Sequence, residues 1–77
     1  MCNNMSITIP NTNTCIQPGC RVKLGRFEAA IWQVKFGWFS WGGNRRMCGW
    51  YLIDTTDPEV VKPLYETDLD DIYLVEY

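Results

Sequence analysis

Two aromatic-rich runs joined by a glycine-containing turn constrain what this chain can fold into more than any other feature. They occupy residues 31–53, and the turn between them is Trp41-Gly42-Gly43-Asn44-Arg45. Glycines in such a turn accept the positive φ angles that a tight connection between antiparallel strands requires. A chain of 77 residues has too little interior to bury every large ring. We therefore expect several rings to remain at the surface, from the set Trp32, Trp38, Trp41, Trp50 and Tyr51.

The alternation of apolar and polar residues predicts where the strands lie. Trp32, Val34 and Phe36 recur at every second position, which is typical of a half-buried strand, and Gly37 is expected to bend it. Residues 47–53 are predicted to return antiparallel, after a turn within residues 39–44. Shorter strands are expected at residues 21–24, 60–65 and 73–77. Pro63 favours a sheet edge for the second of these, and one helical turn within residues 67–72 is expected before the third.

The first 18 residues differ in composition from the rest of the chain. They are rich in Asn and Thr, and Pro10 and Pro18 interrupt any regular strand pairing. We interpret residues 1–18 as an extended arm or a loose strand around Ile7 and Ile9. Residues 19–77 are then expected to form a single small β-domain.

The order of these elements resembles the small five-stranded barrel of Src-homology-3-like (SH3-like) domains, a class that includes Tudor and KOW modules. The resemblance covers residues 19–77 and implies an all-β barrel with a short helical turn before the last strand. Members that bind proline-rich peptides begin with an Ala-Leu-Tyr-Asp-Tyr-like signature, which this chain lacks. The residues that carry the resemblance are Gly19-Cys20-Arg21-Val22-Lys23-Leu24, Trp32-Gln33-Val34, Gly49-Trp50-Tyr51-Leu52-Ile53 and Leu69-Asp70-Asp71-Ile72.

Charge is divided unevenly along the chain, although the net charge is only −2. Residues 1–46 hold six of the seven basic side chains and a single acid, Glu28, whereas residues 47–77 hold eight acids and one base, Lys62. Either the halves present separate surfaces to partners, or oppositely charged strands lie side by side and neutralise each other. We favour neutralisation, because a small barrel folds its two ends together and surface ion pairs are common.

Four cysteines and the absence of histidine limit the metal and redox chemistry of the chain. Four residues separate Cys15 from Cys20, within the range of zinc ligands, but Cys2 and Cys48 do not supply a second close pair. We predict neither a metal site nor a cofactor. The chain starts without the basic and apolar segments of a secretion signal, so we expect a cytoplasmic protein with reduced thiols. No apolar stretch approaches the roughly 20 residues that span a bilayer, so no membrane contact is expected.

The sequence offers no catalytic constellation. Without histidine, the usual proton shuttle near neutral pH is missing, and Cys48 is expected to be buried in a strand, where a thiol is inert. Asp68, Asp70 and Asp71 lack the glycine and the distal glutamate of a calcium-binding loop. We therefore predict that the protein is not an enzyme.

The aromatic turn and its neighbours are the best candidates for a binding function. Trp, Tyr and Arg are the residue types most enriched at the energetic centres of protein interfaces. We predict a protein-interaction module, a small accessory or regulatory protein of a bacterium or its phage, that contacts a protein partner, with a homodimer as a further option. The predicted contact residues are Trp38, Phe39, Trp41, Arg45, Arg46, Trp50 and Tyr51.

Two alternatives remain open for the same rings. In the first, the module binds nucleic acid, because guanidinium groups hold phosphates while neighbouring rings stack on bases. Its contact residues would be Arg21, Lys23, Arg26, Lys35, Arg45 and Arg46. In the second, the rings have no partner and close the open end of the barrel.

Overall fold

A computed structural model of the chain describes residues 6–10 and 12–76. Over those residues the predicted all-β class is confirmed, and the only helical element is a short 3-10 turn, as expected before the last strand. The strands are β1 (Ile7–Thr8), β2 (Cys15–Ile16), β3 (Arg21–Lys23), β4 (Trp32–Trp41), β5 (Arg45–Asp54), β6 (Val61–Pro63) and β7 (Tyr73–Glu76), with the 3-10 turn at Glu66–Asp70.

Five of the strands form one antiparallel sheet in the order β6-β5-β4-β3-β7. The expectation of a closed barrel is corrected, because β6 and β7 are the two edges of an open sheet and do not pair with each other. Both edge strands are short, and β6 ends at Pro63, which has no backbone N–H to offer a further strand. The edge position predicted from Pro63 is confirmed.

The β4–β5 hairpin is the longest element, and its register runs without a break from Trp32 opposite Asp54 to Trp41 opposite Arg45. Both strands extend beyond their predicted limits. Gly37 lies inside β4 directly opposite Gly49, and both have positive φ angles, 147° and 153°. Since side chains alternate along a strand, one face carries Trp32, Val34, Phe36 and Trp38 with Cys48, Trp50 and Leu52, and the other carries Lys35, Phe39 and Trp41 with Arg45, Met47 and Tyr51.

The core lies against the first of these faces. Its buried members are Ile9, Ile16, Cys20, Val22, Trp32, Val34, Leu52 and Ile72. This core includes residues that precede the expected start of the domain at residue 19. Of the two alternatives for this segment, the strand around Ile7 is present as β1, and within residues 6–10 and 12–18 it pairs with β2 as a hairpin that delivers Ile9 and Ile16 to the interior. Residues 1–5 of the expected arm lie outside the described residues.

The cysteines depart from expectation at two positions. Cys15 is disulfide-bonded, whereas reduced thiols were expected throughout. Cys48 is free and exposed instead of buried, and Cys20 is free and buried. Cys2 lies outside the described residues. Among residues 6–10 and 12–76, no three acidic or cysteine side chains come together in a group that could hold a metal ion.

Candidate functional site

The distal part of the β4–β5 hairpin, residues 38–48, projects an aromatic and basic surface that we call the hairpin end. Trp38 is 64% exposed, Met47 39% and Trp41 37%, although strand residues rich in rings are usually covered. Gly42 and Gly43 form the turn with φ angles of 67° and 83°, as the sequence predicts for a tight connection. The hairpin end therefore presents two indoles and a thioether on a regular two-stranded frame.

The basic residues of the hairpin end lie beside these rings. The guanidinium of Arg46 lies 5.9 Å from the centroid of the Trp38 ring, on the same face of the hairpin. Such a contact holds the cation over the ring and leaves its N–H groups available to a ligand. Neither Arg45 nor Arg46 forms an ion pair with any described residue. Two positive charges are thus available at this end of the sheet.

A stacked pair of rings joins the hairpin end to the part of the hairpin nearer the core. Phe39 is buried, and its ring centroid lies 4.6 Å from that of Tyr51, with 24° between the ring planes. Both rings lie on the same face of the hairpin, Phe39 opposite Met47 and Tyr51 opposite Lys35. The facing glycines Gly37 and Gly49 lie between these two pairs. The rings therefore meet near the level of the two glycines, where neither strand carries a side chain that would stand between them.

An open groove of about 660 Å³ lies on that face, between the hairpin end and the loop that precedes β6. Its walls include Phe39, Trp41 and Tyr51 on one side and residues 58–61 on the other. Glu59 contributes the only charged side chain among the described residues that line it. The groove adds an apolar floor next to the exposed indoles.

A turn at the end of β5 positions the far wall of this groove. The backbone N–H and the hydroxyl of Thr56 donate to the Asp54 carboxylate at 2.9 and 2.8 Å, and the Asp54 N–H donates to the Val60 carbonyl at 3.0 Å. The hydrogen bonds from Thr56, backbone first and then side chain, lower the pKa of Asp54 below its ordinary value of 3.8. An ionised Asp54 therefore stabilises the loop that carries residues 58–60.

The structure divides the predicted contact residues into two groups. The exposed group comprises Trp38, Trp41, Arg45 and Arg46 of the hairpin end. Phe39 also belongs to the hairpin end, but it is buried and stacks on Tyr51. Trp50 is half-buried, packs against the core and makes an edge contact with Phe36, with ring centroids 5.2 Å apart. Sequence reasoning did not single out Met47 as a surface residue, although its place beside Arg45 and Arg46 in an exposed strand end was a usable signal.

The six basic residues assigned to nucleic-acid binding do not form one surface. Arg21 pairs with Glu76 across β3 and β7, which supports the neutralisation that we favoured from the charge pattern. Arg26 lies in the loop before β4, at the opposite end of that strand from Arg45 and Arg46. Lys23 ends β3, and Lys35 lies opposite Tyr51 in the half of the hairpin near the core, so of the six only Arg45 and Arg46 lie beside the exposed indoles.

No protein-family description, curated protein or solved structure matches this chain. Within the described ranges 6–10 and 12–76, no helix has both the length and the apolar character needed to cross a bilayer.

Proposed function

We propose that the protein is a non-catalytic interaction module that binds a protein partner through the hairpin end. The single observation that carries the proposal is Trp38, which is 64% exposed and held beneath the guanidinium of Arg46. Trp and Arg side chains dominate the energetics of many interfaces, and the contact with the Trp38 ring restrains the Arg46 guanidinium before any partner binds. Trp41 and Met47 are exposed on the opposite face of the same hairpin end, so both of its faces offer apolar contact area.

The finer assignment of the fold to the SH3-like class is part of this proposal. Its support is the connectivity, in which the last strand β7 pairs with β3 and the 3-10 turn lies between β6 and β7. The sheet remains open, so the likeness concerns strand order. A shared fold does not fix the ligand, and the functional argument therefore depends on the hairpin end alone.

Nucleic-acid binding is the second candidate, and it has weaker support. The hairpin end combines rings with Arg45 and Arg46, but Arg21 is engaged with Glu76 and the chain as a whole is acidic. Binding to phosphates weakens steeply as salt rises, so a gel-shift titration with single-stranded and duplex oligonucleotides at low ionic strength tests this candidate directly. Absence of a shift there would eliminate it.

The proposed function is tested by removing the exposed indoles without disturbing the fold. We expect Trp38→Ala, Trp41→Ala and the double variant to lose partner capture, because they delete the apolar contact while Phe39 and Tyr51 still hold the hairpin together. The measurement is quantitative affinity capture from the native host, with bound proteins identified and compared between variants. Tyr65→Ala is the matched control, since Tyr65 is 48% exposed and lies outside the hairpin.

The variants must also remain folded for this comparison to count. Exposed substitutions away from the core change the free energy of unfolding by only about 0.5 kcal/mol, so their thermal melts are expected to stay close to that of the original protein. Capture that persists in the double variant, or that is lost equally in Tyr65→Ala, would contradict the proposed function.

A further inference from the structure

A second groove, which we call the acidic groove, lies at the other end of the sheet. Its volume is about 600 Å³, and it is lined by Leu24, Gly25, Arg26, Phe27, Glu28, Asp70 and Asp71. Three carboxylates face one guanidinium there, so the groove carries a negative excess. Phe27 is 99% exposed and forms an apolar rim. The combination of negative charge with an uncovered ring fits a segment that is both cationic and aromatic.

The hairpin end of the same chain has that chemistry. It presents the indoles of Trp38 and Trp41 together with Arg45 and Arg46, neither of which has a carboxylate partner among the described residues. Opposite potentials on two surfaces steer them together and set their register, and a ring pair adds apolar contact. The hairpin end and the acidic groove are therefore complementary in both charge and apolar character.

The two surfaces cannot meet within one copy of the chain. The acidic groove is built on the loop that leads into β4 at Trp32, whereas the hairpin end lies where β4 finishes at Trp41. Between them stand the ten residues of β4, and a strand rises about 3.3 Å per residue. Contact between these surfaces requires a second copy.

We propose that the hairpin end of one copy docks into the acidic groove of a second copy of this chain. Because Arg45 and Arg46 lie on opposite faces of the hairpin, its tip enters the groove end-on, where both guanidinium groups reach the carboxylates of Asp70 and Asp71 and Phe27 packs against one of the indoles. The inference rests on the proposed function, because it uses the same hairpin end and names its partner. The first copy then still has an unused acidic groove and the second an unused hairpin end, so the contact closes into a reciprocal pair or continues into a chain of copies.

The test is a charge swap followed by mass measurement. One variant carries Arg45→Glu with Arg46→Glu, and the other carries Asp70→Lys with Asp71→Lys. Each alone is expected to associate about tenfold more weakly than the original protein, because like charges then face each other across the contact. An equimolar mixture restores association, since each reversed surface finds its opposite on the other variant. Sedimentation equilibrium over a concentration series up to about 1 mM measures the effect.

Two controls separate a specific contact from a general effect of net charge. Asp57→Lys with Glu66→Lys changes the net charge as much as the reversed groove does, but neither residue belongs to the hairpin end or lines either groove, so this variant should leave self-association intact. Raising sodium chloride from about 50 mM to about 500 mM should weaken association of the original protein, because the Debye length shortens.

The outcomes distinguish this inference from the proposed function. Association that each reversal abolishes and the mixture restores supports docking between copies. A protein that stays monomeric throughout the concentration series, or a mixture that does not recover, overturns the inference. In that case Trp38-dependent and Trp41-dependent capture of another protein still tests the proposed function by itself.

Discussion

The two halves of the β4–β5 hairpin are built from similar residues, yet their surroundings are opposite. In the half near the core, Trp32, Val34 and Leu52 are buried, whereas at the hairpin end Trp38 and Met47 are exposed. The difference lies in what covers them. Side chains from the β1–β2 hairpin, β3 and the segment before β7 pack over the near half, whereas at the hairpin end only Phe39 is buried among the described residues. An aromatic strand is therefore buried by its neighbours and not by its own composition.

The boundary between the halves coincides with the facing glycines Gly37 and Gly49. On the core side of it the apolar side chains are buried or half-buried except for Phe36, and on the distal side they are exposed except for Phe39. We therefore expect substitutions in the near half to cost the most unfolding free energy, and those in the loop that flanks the hairpin to cost the least.

The largest effect is expected from Leu52→Ala. Leu52 is fully buried in the near half, and removing its side chain leaves a cavity that costs about 3 kcal/mol of unfolding free energy. Met47→Ala, on the same strand but at the exposed end, is expected to cost about 0.5 kcal/mol or less. Urea denaturation followed by tryptophan fluorescence compares them. Equal costs would break the contrast between the halves.

A smaller loss is expected from Gly49→Ala or Gly37→Ala at the boundary. Both positions have positive φ, and a Cβ atom there destabilises the backbone by roughly 1–2 kcal/mol. Space is not the cause, since no atom lies within 4 Å of a Cβ built at either position. Gly25→Ala is the control, because Gly25 is outside the positive-φ group and should tolerate alanine. The free energy of unfolding in urea measures all three.

The stack of Phe39 on Tyr51 should show coupling across the boundary. In a double-mutant cycle with leucine at each position, we expect a coupling free energy of about 1 kcal/mol, because the stacked geometry is lost in either single variant. The comparison cycle joins Phe39 with Trp50, which lies on the opposite face and should behave additively. Coupling of the same size in both cycles would remove the special role of the stack.

The smallest effect is expected from Asp54, at the end of the near half. Its folded pKa lies below 3.8 because Thr56 donates to the ionised carboxylate, so the stabilisation is present above that pH and is lost as the pH falls through the folded pKa. Asp54→Asn should therefore be less stable than the original protein near pH 6, and the gap should narrow near pH 2. A gap that stays constant across this range would contradict the assignment.

The hairpin could be predicted because its signals are local. Trp32, Val34 and Phe36 at every second position fix a strand, and Gly42 and Gly43 fix a turn, without reference to the rest of the chain. The prediction ended the strand early because Gly37 was expected to bend it. In the structure the positive φ of Gly37 is accommodated within the ladder, opposite Gly49, and pairing continues to the turn.

The open sheet and the first hairpin could not be predicted in the same way. Closure of a sheet depends on contacts between strands far apart in sequence, and no short-range period reports them. Strands β1 and β2 have two residues each, too few for an alternation to appear, so Ile9 and Ile16 gave no sign that they belong to the core.

The site was predicted in kind but not in detail. The residue types of the hairpin end marked it as a candidate surface, but they did not separate Trp38 from its neighbour Phe39. Alternation alone places Phe39 on the same face as Lys35, and a face that carries a lysine is usually exposed to solvent. Phe39 is buried instead, because its ring stacks on that of Tyr51, and the register level between them is occupied by Gly37 and Gly49, which carry no side chain.

The facing glycines have a consequence for how the hairpin finds its alignment. Sliding one strand past the other by a residue or two would move the glycines out of opposition and set a side chain against each of them. Phe39 and Tyr51 would then no longer lie at equal distances on either side of the glycines, and their stacked contact would be lost. The stack therefore favours a single alignment of the two strands, the one in which the glycines face each other.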